Sequence, residues 1–222
     1  MNSGPPTPDS EDDEGLHLDS DMPLGDEAVD DRYTDAGLPM REAAVLVPLV
    51  RTEGAWHLLF IRRAADERDR HSGQVAFPGG ARDSGDTDAG ATAVREAQEE
   101  IGLHPRRITL ICELGPYVTI SNYRVTPVVG LVEWPSPLAL QASEVARAFT
   151  IPLDWLRDRN NLTIRPRSEK DPKSPRLHPI IVYDAYDGET LWGATARMTV
   201  NFIRALDAGS IPLPPSLNLS DR

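Results

Sequence analysis

Apolar residues cluster along the chain at two different spacings. Ala43–Val50 is a continuous apolar run that contains Pro48, and Trp56–Ile61 follows it across Thr52-Glu53-Gly54. Two strands joined by a turn are the expected result. Val75–Phe77 reads as a short strand stopped by Pro78-Gly79-Gly80. The period then changes. Ala93, Val94, Ala97 and Ile101 recur at helical spacing, which predicts a helix over Asp88–Ile101 with one buried stripe. Asp88 or Thr87 supplies its N-cap, and Gly102 stands where a helix stops.

Ile108–Leu114, Tyr117–Thr119 and Arg124–Val132 read as further strands. Glu144–Phe149 predicts a short helix, and Ile151–Leu153 leads into Trp155-Leu156. The polar, Pro-rich stretch Asn160–Pro179 reads as a loop. Ile180–Tyr183 and Thr190–Trp192 predict late strand pieces, Ala194–Leu206 a helix, and the last dozen residues a fraying end. There is no internal repeat and no strict βαβ rhythm. The expected class is α/β, with a mixed sheet packed between helices.

The chain has 222 residues, enough for one domain with a sizeable core. Its formal net charge of -12 is unevenly placed: residues 1–40 carry twelve acids and only Arg32 as a base. The remainder is close to neutral. The reading is an acidic, mostly disordered tail over 1–40, a folded domain over 41–208 and a C-terminal tail over 209–222. A neutral body and an acidic tail argue against nucleic acid and anionic membranes as partners. One cysteine, Cys112, forms no intrachain disulfide and no CxxC pair. With a polar N-terminus lacking an apolar leader pattern, this predicts a cytoplasmic protein.

The candidate chemistry lies in Arg95-Glu96-Ala97-Gln98-Glu99-Glu100. On a helix, Glu96, Glu99 and Glu100 fall at i, i+3 and i+4, so three like charges share one side. A hard divalent cation, Mg²⁺ or Mn²⁺, would neutralise them, and such ions take carboxylates together with substrate phosphates. The alternative is an ordinary solvated acidic face. Upstream, Gly79-Gly80 lets backbone approach an ion or phosphate without an intervening side chain. There is no GxxxxGK[ST] phosphate loop, and Asp86-x-Asp88-x-Gly90 lacks the remaining ligands of an EF-hand.

These residues resemble the Nudix box. Gly80 through Leu103 carries Arg95-Glu96, then Glu99-Glu100, then Gly102-Leu103. The loop is one residue longer than the usual box, and the first Glu of the box falls on Thr87, between Asp86 and Asp88. His71–Gly80, Arg124–Gly130, Glu144–Ala146 and Trp192–Ala196 are similar to the coenzyme A pyrophosphatase branch of the family. That branch has an Arg four residues before Gly73, where this chain has Asp69 between Arg68 and Arg70.

The resemblance implies a Nudix-type α/β/α sandwich and metal-dependent hydrolysis of a pyrophosphate bond in a small nucleotide substrate. Coenzyme A is the favoured substrate. An ADP-ribose-like or NADH-like molecule is the alternative, and a binding protein without turnover is a further one. Glu96 and Glu100 are implied as metal ligands, with Glu99 a third ligand or the base and the carbonyl of Gly80 or Gly79 completing the shell. Arg95 is expected to brace the loop through Asp86 or Asp83. Glu144 is a candidate base from outside the box. Arg62, Arg63, Arg68 and Arg70, with Gly79 and Gly80, are candidates for meeting substrate phosphates. A homodimer is among the expected assemblies.

Overall fold

The unbroken apolar run becomes the middle of a mixed sheet. The computed structural model describes residues 39–65, 72–119, 122–165 and 179–214. Strand β1 (Arg41–Thr52) turns through Glu53-Gly54 into β2 (Ala55–Arg63), with which it pairs antiparallel. β3 (Val75–Ala76) follows, then β4 (Gly79–Ala81), β5 (Ile108–Glu113), β6 (Tyr117–Val118), β7 (Tyr123–Val132) and β8 (Val145–Pro152). The path through the sheet is β3-β2-β1-β7-β5, with β4 on β1, β6 on β7 and β8 on β2. β1 and β7 run parallel, with Val47 opposite Val129, and the other pairs are antiparallel. A second sheet, in the order β11-β10-β9, comprises β9 (Leu162–Arg165), β10 (Ile180–Tyr186) and β11 (Glu189–Trp192).

β1 is apolar from Ala43 to Val50 because both of its faces are covered there. Ala44, Leu46 and Val50 pack with Ala93, Ala97 and Ile101 of helix α1 (Ala89–Ile101). Ala43, Val47 and Leu49 pack on the opposite face. Their partners there are Leu153 and Leu156 of α2 (Leu153–Arg157), Ala196 and Phe202 of α3 (Gly193–Asp207), and the second sheet. The expected layering of helices about a mixed sheet is thus found. Among the described residues no helix is long and apolar enough to cross a membrane.

Helix α1 has the expected ends: the Asp88 side chain accepts the Ala91 N–H, and Gly102 closes the helix at φ 67°. Four expectations change. Glu144–Phe149 is not a helix, because Val145–Pro152 is strand β8, paired with β2 from His57 to Arg63. Alternate burial of Phe149 and Ile151 against β2 outweighs the helix propensity of its Ala and Arg residues. Gly79–Ala81 continues as a strand after Pro78, since β1 offers it a free edge at Ala43–Val45. Ile211 is buried in the larger core cluster, so packing extends past residue 208. The expected loop also contains β9, while residues 166–178 lie outside the described residues, as does the acidic stretch 1–38.

Candidate active site

The site is built where β4 meets the inner face of α1. Gly79 sits at φ 157°, and a Cβ there would stand 2.4 Å from the Ala44 carbonyl oxygen. Only glycine fits between β1 and the helix at this point. Its N–H donates to Glu100 Oε2 at 2.9 Å. Next to it, a Cβ on Gly80 would lie 2.6 Å from Glu96 Oε1. The absent side chain lets the Glu96 carboxylate lie close against the β4 backbone.

The three glutamates do not share one environment. Glu100 is 2% exposed, Glu96 is half-buried and Glu99 is exposed. At about 100° per residue the three span an arc of roughly 100°. Glu96 lies in the middle, Glu100 at the sheet edge and Glu99 at the solvent edge. Burial pushes the Glu100 carboxyl up to about 7, against the pull of the Gly79 N–H and the Arg63 charge; the charges on Glu96 and Glu144 push it the same way as burial. Burial also raises Glu96, opposed by Arg95. Burial thus disfavours the ionised form of both carboxylates, and Glu96 alone of the two is paired with Arg95 among the described residues.

Arg95 organises the surrounding loop. Its guanidinium donates to Asp86 through Nε at 3.0 Å and Nη2 at 2.9 Å. It also reaches the Ala81 carbonyl at 3.0 Å, Glu96 at 2.9 Å and Glu99 at 2.8 Å. Asp86 further accepts the Asp83 N–H and the Thr92 hydroxyl, both at 2.9 Å. The paired guanidinium holds the Asp86 carboxyl far below the usual carboxylate range. The loop from β4 to α1 is thereby tied to the helix at both ends, with Arg82 bonding the carbonyls of Asp86 and Thr87. The expected pairing of Arg95 with the loop acids is present, through Asp86.

Glu144 comes to this site from β8's entry. Its charge acts on both Glu96 and Glu100. The turn that carries it is bonded to the helix end, since the Gln141 N–H donates to the Glu100 carbonyl at 2.8 Å. Arg62 and Arg63 part company here. Arg63 lies in phase with Leu59 and Ile61, which face α1, and its charge reaches Glu100. Arg62 lies in phase with Leu58 and Phe60 and points the other way, donating to Glu189 at 3.2 Å. The period of two in a strand separates neighbours that look alike in sequence. Arg68, Asp69, Arg70 and His71 lie outside the described residues.

The donor set suits a divalent cation. Hard oxygen atoms from Glu96 and Glu100 stand beside glycine backbone, in a place where burial penalises unneutralised charge. Among the described residues no three His, Cys, Asp or Glu side chains already converge on one point. Mg²⁺ is usually held by only one or two carboxylates plus water and phosphate oxygens.

A family model described as the NUDIX domain matches residues 40–170 of this arrangement. The chain belongs to the Nudix family. The peroxisomal coenzyme A diphosphatase NUDT7 of Mus musculus is 41% identical over 143 residues, covering 60% of each chain. The uncharacterized Nudix hydrolase NudL of Pectobacterium atrosepticum is 46% identical over 114 residues, or 51% of this chain and 58% of that one. NudL of Salmonella newport is 36% identical over 181 residues, 79% of this chain and 85% of that one. The chain thus spans about three fifths of the length of the first two relatives. A crystal structure of the Nudix hydrolase RenU from M. smegmatis aligns with TM-score 0.52 and 22% identity, covering 81% of this chain and 90% of that one, a likeness of fold.

Within the Nudix arrangement, sequence reasoning undervalued Thr92, Arg82 and Glu189. Thr92 follows Asp86, whose carboxylate it binds, whereas Arg82 precedes the Asp86 and Thr87 carbonyls it binds, and no spacing rule marks either. Glu189 is buried at 5% exposure under Arg62 and Arg147. An isolated Glu in a late hairpin gives no sign of that.

Proposed function

We propose that this Nudix protein hydrolyses the pyrophosphate bond of coenzyme A or an acyl-coenzyme A, releasing 3′,5′-ADP and a phosphopantetheine. The observation that carries the hydrolytic reading is the pairing of the buried Glu100 and half-buried Glu96 carboxylates, set against Gly79 and Gly80. In this reading they hold Mg²⁺ or Mn²⁺, with the Gly80 carbonyl as a further ligand. A bound divalent ion supplies charge for the pyrophosphate oxygens and lowers the pKa of a bound water. Arg95 is a brace and takes no part in the chemistry, because Asp86, Ala81, Glu96 and Glu99 occupy its guanidinium. Glu144 is the favoured proton acceptor for the attacking water. Glu99, exposed and paired with Arg95, is the weaker candidate. Arg63 is favoured over Arg62 for the substrate phosphates, since its charge lies on the Glu100 side of the sheet.

The choice of coenzyme A is supported by the stretch His71–Gly80 and by the relative named as a coenzyme A diphosphatase. The deciding experiment is mass-spectrometric product analysis over coenzyme A, dephospho-coenzyme A, ADP-ribose and NADH, with Mg²⁺ and with Mn²⁺. The expected result is fastest release of 3′,5′-ADP from coenzyme A. Faster cleavage of ADP-ribose or NADH would replace this substrate assignment, and no cleavage of any would remove the enzymatic reading.

A further inference from the structure

The ladder between β2 and β8 slips at one place. Arg62 stands opposite Arg147, but the next pair is Arg63 with Val145, so Ala146 is extra on β8. The slip directly follows Glu144, whose carbonyl accepts the Ala64 N–H at 2.7 Å. A bulge of this kind bends its strand and re-aims the side chains beside it.

Beside the slip, the two opposed arginines converge on one acid from the other sheet. Glu189 Oε1 accepts Arg62 Nη1 at 3.2 Å and Arg147 Nη1 at 3.1 Å. Arg147 also donates to the Asp187 carbonyl at 3.1 Å and to the Asp187 carboxylate. Glu189 is buried, whereas the side chains of Arg62 and Arg147 keep 42% and 35% exposure. The arginines thus have water available and do not need this acid for their own solvation. Buried ion pairs of this kind add little net stability compared with apolar packing, so the arrangement is better suited to fixing a geometry.

We infer that Glu189 is a positioning residue for the Nudix reaction. By clamping Arg62 and Arg147 it fixes the slipped end of the β2–β8 ladder, and with it the placement of Glu144 and Arg63 beside Glu96 and Glu100. The inference rests on the reading of Glu144 as proton acceptor. Glu189 touches neither the substrate nor the reacting atoms.

The test measures kcat, KM and Tm with Mg²⁺, on whichever panel substrate is cleaved fastest. Glu189→Leu removes the acceptor, and Glu189→Gln keeps one. Glu189→Leu is expected to lower kcat about tenfold, with KM within about twofold, and Glu189→Gln to recover most of the loss. Arg147→Met breaks the clamp from its exposed side and should reproduce the loss of kcat even if Glu189→Leu does not fold. Combining Arg147→Met with Glu144→Gln should be no slower than Glu144→Gln alone, since both act through one group. Multiplying losses in that pair, or a change in KM in place of kcat, would overturn the inference while leaving Glu144 in its role. Full activity of Glu144→Gln would overturn the reading of Glu144 and this inference together.

Discussion

Glu100 accepts the backbone N–H of Gly79 at 2.9 Å across 21 residues of sequence. The bond ties the most buried carboxylate of helix α1 to the glycine turn before it. One carboxylate oxygen is thereby engaged.

Replacing Glu100 by Gln keeps an acceptor for Gly79 and removes the charge. Turnover at saturating Mg²⁺ is expected to fall at least a hundredfold, about 2.7 kcal/mol of barrier. Tm in the presence of a chelator should hold or rise, because an unneutralised buried charge is gone. Added Mn²⁺ should raise the Tm of the wild type and leave that of Glu100→Gln nearly unmoved. Wild-type turnover in the variant would remove Glu100 from the metal site.

The two glycines should fail in different ways. A Cβ on Gly79 meets backbone, the Ala44 oxygen at 2.4 Å and Val45 Cα at 2.6 Å. Gly79→Ala is therefore expected to cost about 2–3 kcal/mol of stability, seen as a Tm lowered by roughly 5–10 °C. The atoms nearest a Cβ on Gly80 are all at the end of the Glu96 side chain. That end can swing aside, so Gly80→Ala should keep its Tm and weaken Mn²⁺ binding. Equal loss of Tm in both variants would contradict this division.

Much of the site was legible from the chain itself, for identifiable reasons. Helix α1 declared itself through Asp88, Gly102 and the Ala93-Ala97-Ile101 stripe, all local signals. Arg95 and Asp86 were legible as partners because the charges lie close in sequence. Strand β8 was not, because Glu144–Phe149 has helical composition, and only the edge of β2 makes it extended. The opposite orientations of Arg62 and Arg63 were hidden for a related reason: neighbours look equivalent until the faces of β2 are assigned. Glu189 depends on two sheets meeting, which no sequence window reports.

His57 offers a pH signal away from the site. It lies half-buried on β2, its Nδ1 has no hydrogen-bond partner among the described residues, and burial lowers its pKa below the ordinary 6.5, with the Glu53 charge opposing. The unfolded chain therefore binds a proton first as pH falls. Stability from the neutral form is complete above about 6.5 and is lost as pH drops through that value toward the folded pKa. Tm of the wild type should fall more steeply between pH 7.5 and 5.5 than that of His57→Leu. Parallel curves would show that His57 is not protonated differently in the two states.

The last prediction separates the paired arginines. Arg63 places its charge toward Glu100, while Arg62 is spent on Glu189. If Arg63 meets the pyrophosphate, then Arg63→Gln should raise KM about tenfold, a loss of roughly 1.4 kcal/mol in binding. Arg62→Gln should leave KM within about twofold and act, if at all, on kcat through the clamp at Glu189. The comparison needs only steady-state kinetics on one substrate at fixed Mg²⁺. A KM raised by Arg62→Gln and untouched by Arg63→Gln would mean that the substrate approaches from the side of the second sheet. Phosphate contact would then pass from Arg63 to the cluster of Arg62 and Arg147.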